Sequence, residues 1–163
     1  MKEKILKYGS FICLGVVFCV LAFLNLFYLD RWLDSDMAAE MIFSRQLAEE
    51  GHIFASPNWY YSTEFRFLYT QLVMGPLFCI LDSWHIIRMV TNLVSYLLMT
   101  AAYFYMVKPL KLNRKWTVLT GIILLLPFSE TMMLHMQMGN TYMPHVIISF
   151  FFFGMYLRLS MGQ

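Results

Sequence analysis

The sequence predicts an all-α membrane protein with about four transmembrane helices and juxtamembrane helices in its first outer loop, and three observations carry that expectation. Of the residues, 60% are hydrophobic and only 13% are charged, where soluble domains carry roughly a quarter. Several apolar runs reach the roughly 20 residues that a helix needs to cross a bilayer core. The lysines gather at a few run ends, as expected where basic loops stay on the cytoplasmic side. The net charge of +2 is too small to point to nucleic acid as a partner. Cys13, Cys19 and Cys79 have no paired spacing, so they read as packing residues.

The first run covers residues 8–28, preceded by Lys2, Lys4 and Lys7 and followed by no small-x-small cleavage site. It reads as an uncleaved signal anchor in the cell membrane, with a cytoplasmic N-terminus. A more polar stretch then runs from Asp30 to about Glu64. Within it Met37, Ala38, Met41, Ile42 and Ala48 recur at near-helical spacing, and Gly51 offers a stop. This predicts a short amphipathic helix near the membrane surface. Ser56-Pro57-Asn58 marks a turn, and Trp59, Tyr60 and Tyr61 suit the headgroup level.

Residues 65–81 are marginal for a span and contain Arg66, Gln71 and Gly75-Pro76. Lysine placement decides the reading. If this piece crossed, the basic loop at residues 108–115 would land opposite Lys2, Lys4 and Lys7; if it does not, all of them share the cytoplasm. The second option predicts spans at residues 85–107, at 116–133 with a kink or break at Pro127 near the outer surface, and from Tyr142 to Arg158.

Leu33-Asp34-Ser35-Asp36, with Glu40 one helical turn on, forms an acidic cluster where the first span leaves the bilayer. Charge near lipid is costly, so such a cluster needs water, partners, a metal or a task. Asp34 and Asp36 can bind a divalent cation or act as general base toward an acceptor hydroxyl. One of them can instead cap the following helix, although a cap leaves Glu40 unexplained, since like charges at that spacing repel. Glu64 and Arg66 can join a substrate site or simply start an interfacial helix. Arg88, at the outer boundary of the next span, can grip phosphate oxygens or reach headgroups. His135, Asn140 and His145 either line the same outer cleft or form an ordinary polar loop, and the histidines match no metal-ligand spacing.

The order of these features resembles the GT-C class of membrane glycosyltransferases, and within it bacterial enzymes related to the aminoarabinose transferases of lipid A. The resemblance rests on Asp34-Ser35-Asp36 after the first span, Ala39-Glu40 in the next helix, and Trp59-Tyr60-Tyr61-Ser62-Thr63-Glu64 in the first outer loop. It implies a single membrane domain forming the N-terminal part of a larger glycosyltransferase module. It further implies a lipid-linked sugar donor, transfer at the outer face, and catalytic roles for Asp34 and Asp36. Substrate contacts would come from Glu40, Glu64, Arg88 and His135, with a partner chain or further spans completing the fold. A non-catalytic accessory or truncated membrane protein is the competing expectation.

Overall fold

Proline and cap chemistry cut this apolar chain into helices of very unequal length, and that inequality sets the architecture. A computed structural model describes residues 2–61, 69–137 and 142–162, without the side chains of residues 2–7. Among these residues every regular element is helical. Three helices are long and apolar enough to cross a membrane: α1 (Lys2–Tyr28), α4 (Trp84–Val107) and α7 (Met143–Ser160). Four are shorter: α2 (Ser35–Glu50), α3 (Gln71–Phe78), α5 (Arg114–Leu125) and α6 (Glu130–Gln137). The protein is therefore all-α and membrane-embedded, with a fourth span if α5 and α6 count together.

Local chemistry accounts for the ends. Asp34 caps α2, its Oδ1 accepting from the Met37 backbone N–H at 2.9 Å. Gly51 closes α2 in the left-handed region at φ 69°, where a side chain would be strained. Ser83 caps α4 through the Ile86 N–H at 3.3 Å, and Asn113 caps α5 through the Lys115 N–H at 3.0 Å. The amphipathic helix expected around residues 37–48 is α2. The non-crossing piece expected at 65–81 contains α3, whose eight residues reach only about 12 Å; residues 65–68 lie outside the described residues.

The kink or break expected at Pro127 is a break: α5 stops at Leu125, and α6 leaves at 92° to it. Leu126 is extended (ψ 122°) because the ring of Pro127 disfavours a helical residue before it, and Pro127 has no N–H to continue the ladder. Cys13, Cys19 and Cys79 are exposed and do not pack into the core.

Contacts fix the helix directions. His85 at the start of α4 meets the Leu26 carbonyl near the end of α1 (2.9 Å), so these helices run antiparallel. Arg114 stacks over Phe11, which places the start of α5 beside the early part of α1. Arg158 stacks over Tyr105, so α7 ends where α4 ends. One end of the bundle thus collects Lys108, Lys111, Arg114, Lys115 and Arg158 with the start of α1. The other holds Asp30, Asp34, Asp36, Glu40 and Asp82.

Between the ends, Leu14, Val17 and Leu21 of α1 share a core with Tyr96, Met99, Val118, Ile122, Leu125, Met133 and Met143. Helices α4 and α7 pack tightly at Gly154. A Cβ there would stand 2.6 Å from Tyr105 Cδ1 and 3.0 Å from the Met106 Cα. A second, smaller cluster of Met41, Met74, Phe78 and Ile87 fastens α2 and α3 onto the first turns of α4.

Candidate functional site

The acidic end is built on a polar stripe along α4. Arg88, Thr91, Asn92 and Ser95 repeat at helical spacing and are all buried. Thr91 and Ser95 return their hydroxyls to carbonyls four residues back, at 2.8 and 2.9 Å. Asn92 instead crosses to α1, its Nδ2 donating to Asn25 Oδ1 at 2.7 Å. Asn25 in turn donates to the Leu21 carbonyl (2.9 Å) and, more weakly, to the Tyr96 hydroxyl (3.5 Å). Polar side chains at membrane depth need such partners, so this network registers α1 against α4.

Arg88 is the centre of the site and has 0% exposure. Its Nη1 donates to Glu40 Oε2 at 2.5 Å, and its Nη2 donates to the carbonyl of Gln137, the last residue of α6. One guanidinium therefore joins three elements. It neutralises a carboxylate on α2 and sits at the C-terminal end of α6, where a helix favours a cation. The Arg88 Nε and the buried side-chain amide of Gln137 have no hydrogen-bond partner among the described residues. Buried groups of that kind commonly accommodate ordered water or a ligand oxygen.

The expected site residues are distributed around this junction unevenly. Glu40 and Arg88, expected as separate substrate contacts, come together as a buried ion pair. Arg88 therefore does not face an open cleft beside Asp34 and Asp36. Asp34 is half-buried and serves as the α2 cap, whereas Asp36 is exposed in the first turn. His135 lies on α6, its Nδ1 2.7 Å from the Thr131 carbonyl and its ring edge-on to Tyr142. His145 is exposed at the start of α7. Glu64, Arg66 and Asn140 lie outside the described residues.

The expected divalent cation would rest on Asp34 and Asp36, of which Asp34 already accepts a backbone N–H through Oδ1. No group of three or more His, Cys, Asp or Glu side chains converges among the described residues.

Beside the junction, the loop after α2 folds back onto that helix. Glu50 Oε1 accepts from Gln46 Nε2 at 2.9 Å and Asn58 Nδ2 at 3.0 Å, and Gln46 also reaches Ser56 Oγ at 3.1 Å. Hydrogen bonds from the Ser56, Asn58 and Gln46 side chains hold the Glu50 carboxyl down at about 2. Phe43 packs against Trp59 and Tyr61, and the Tyr61 hydroxyl accepts from the Ser56 N–H at 2.8 Å. At the α1–α4 corner, His85 Nδ1 lies 3.3 Å from Asp30 Oδ1.

Sequence reasoning missed Asn25, Asn92 and Gln137. Asn25 was signalled by an amide in the middle of an apolar run, and Asn92 by its place one turn beyond Arg88. Gln137 carried no local signal, because its role passes through a backbone carbonyl. No family model, curated protein or solved structure matches the chain.

Proposed function

We propose that the protein is a membrane-embedded glycosyltransferase, or part of one, that moves a sugar from a polyprenyl-phosphate donor to an acceptor at the outer face of the cell membrane. One observation carries the reading. Two helices too short to cross lie between the long helices α1 and α4, and they bring Asp34 and exposed Asp36 to the point where α1 ends. The same layout is what the GT-C resemblance implies. Lysine and arginine placement supports a multi-pass arrangement with the N-terminus in the cytoplasm and the acidic end outside.

In this reading a carboxylate of Asp34 or Asp36 takes the proton of the acceptor hydroxyl. That oxygen attacks the anomeric carbon of the donor sugar, and the polyprenyl phosphate departs with the electrons of the broken bond. Asp36 is the better placed of the two, because Asp34 already accepts the Met37 N–H. Arg88 acts first as a positioning residue: through Glu40, one turn beyond Asp36, it fixes the helix that carries the base. A phosphate contact by Arg88 would require its guanidinium to leave that pair.

The second reading, a non-catalytic accessory or truncated membrane protein, is favoured by the capping role of Asp34 and the mutual neutralisation of Glu40 and Arg88.

The two readings separate in proteoliposomes that hold the full chain and polyprenyl-phosphate-linked sugars, with release of polyprenyl phosphate as the readout. Asn caps a helix about as well as Asp, so Asp34→Asn removes the charge and spares the fold. If the carboxylates act in chemistry, Asp34→Asn or Asp36→Asn lowers transfer by about 100- to 10,000-fold. Unchanged transfer in both single variants and in the double variant leaves these carboxylates only the capping role, and absence of transfer by the wild-type chain leaves the second reading.

A further inference from the structure

The basic end of the bundle has a feature that topology alone does not require. From Lys108 to Trp116 the chain reads Lys-Pro-Leu-Lys-Leu-Asn-Arg-Lys-Trp, a 3-10 turn at Lys108–Leu110 leading into α5. Its cations alternate with apolar residues that stay uncovered: Leu110 is 40% exposed, Leu112 54% and Trp116 60%. A turn that served only to keep charge in water would have no use for three bare apolar side chains beside four cations.

The sequence around these cations is free of acidic residues. No acidic residue occurs between Asp82 and Glu130 or after Glu130. Among the described residues no ion pair engages Lys108, Lys111, Arg114 or Lys115. Arg114 lies flat on Phe11 at 4.7 Å, the Lys115 ammonium stands 5.6 Å from the Trp116 ring, and nearby Arg158 stacks on Tyr105 at 3.6 Å. Aromatic rings thus fix the positions of three cations without neutralising their charge.

We propose that the α4–α5 turn is a binding site for anionic phospholipid in the adjacent leaflet. Leu110, Leu112 and Trp116 enter the boundary between headgroups and acyl chains, and Lys111, Arg114 and Lys115 hold the phosphate. The apolar side chains continue the lipid-facing surface of α1 and α4, and the cations meet the charge that this leaflet presents. Zwitterionic lipid matches the apolar half of the surface alone, which is why the site selects anionic headgroups.

The test uses the purified full chain in detergent, titrated with phosphatidylglycerol or phosphatidylcholine and read by native mass spectrometry. Insertion is already complete at that stage, so an effect on topology cannot masquerade as lipid binding. Wild-type protein should retain phosphatidylglycerol at least roughly tenfold more strongly, since each cation near an anionic surface contributes about a fivefold gain. Lys111→Gln with Arg114→Gln and Lys115→Gln should remove that preference and leave the weak retention of phosphatidylcholine unchanged. Raising the salt on the wild-type protein should erode the preference in parallel, a readout that stands even if the triple variant folds poorly. Equal retention of the two lipids by wild-type protein, or a preference indifferent to both salt and substitution, overturns the proposal.

Discussion

The Glu40–Arg88 pair makes a sharp energetic prediction, because both side chains are almost wholly out of solvent and their charged atoms meet at 2.5 Å. Glu40→Ala leaves the guanidinium buried without its counter-charge, which costs about 3–5 kcal/mol in comparable pairs. Arg88→Ala should also be strongly destabilising, because it removes the counter-charge of Glu40 and the donor to the Gln137 carbonyl, worth about 1–3 kcal/mol when left unsatisfied. Replacing both by Met removes two desolvation penalties together. Only the stranded carbonyl then remains, so the double variant should lie about 1–3 kcal/mol below wild type. The double variant is thus expected to be more stable than either alanine variant. Reversible unfolding in mixed micelles of increasing SDS content, with circular dichroism and a fluorescence probe on α2, would measure all four proteins. Strictly additive losses, or a Glu40→Ala variant within about 1 kcal/mol of wild type, would refute the buried-pair argument.

Other expectations follow from the same geometry. Asp34→Ala should lower the stability of α2 by about 1 kcal/mol while Asp34→Asn stays near wild type, as protection of the Met37 amide from hydrogen exchange would report. Gly154→Ala should separate α4 from α7 and cost about 1–3 kcal/mol, because the added methyl meets the Tyr105 ring and the Met106 backbone and neither is a flexible side-chain end. Glu50 titrates at about 2 in the folded protein, below its ordinary value of 4.5. Its contribution is therefore present in full above pH 4.5 and is lost as pH falls through about 2. Fluorescence of Trp59, with the other tryptophans replaced by Phe, should hold steady at pH 5 and change on acidification toward pH 2, and Glu50→Gln should abolish that transition.

The sequence was most legible where local chemistry decides the outcome. Asp34 and Gly51 bracket α2 because a cap and a left-handed stop act within one turn. Around α3 the lysine placement argued against a crossing, and the eight residues of that helix are too few to span by themselves. The bend between α5 and α6 was less legible, since Pro127 is compatible with a kink as well as a full stop. What decided it was the docking of α6 under Arg88, a contact between residues 49 positions apart. The site was half legible for the same reason. Glu40 and Arg88 were conspicuous as charges near lipid, but their pairing depends on α2 folding back against α4, and no spacing in the sequence encodes that distance. Asn25 was hidden by its apolar neighbours, which dilute a single amide in any averaged hydropathy.

The abrupt end of α5 reaches beyond the protein itself. Twelve residues stack to about 18 Å, against a hydrocarbon layer of about 30 Å. Past Leu125 the chain turns by 92° into α6, and any backbone left open at membrane depth needs partners that lipid cannot supply. Leu126 turns its N–H back to Ile122 and Ile123, and the Ser129 hydroxyl receives the Met132 N–H at 3.1 Å. The bilayer beside α5 should consequently be dimpled, with the leaflet at the acidic end drawn toward the bend and its headgroups brought closer to the membrane centre. A lipid carrying a bulky polar head would find its shortest path to the buried polar junction across that thinned rim.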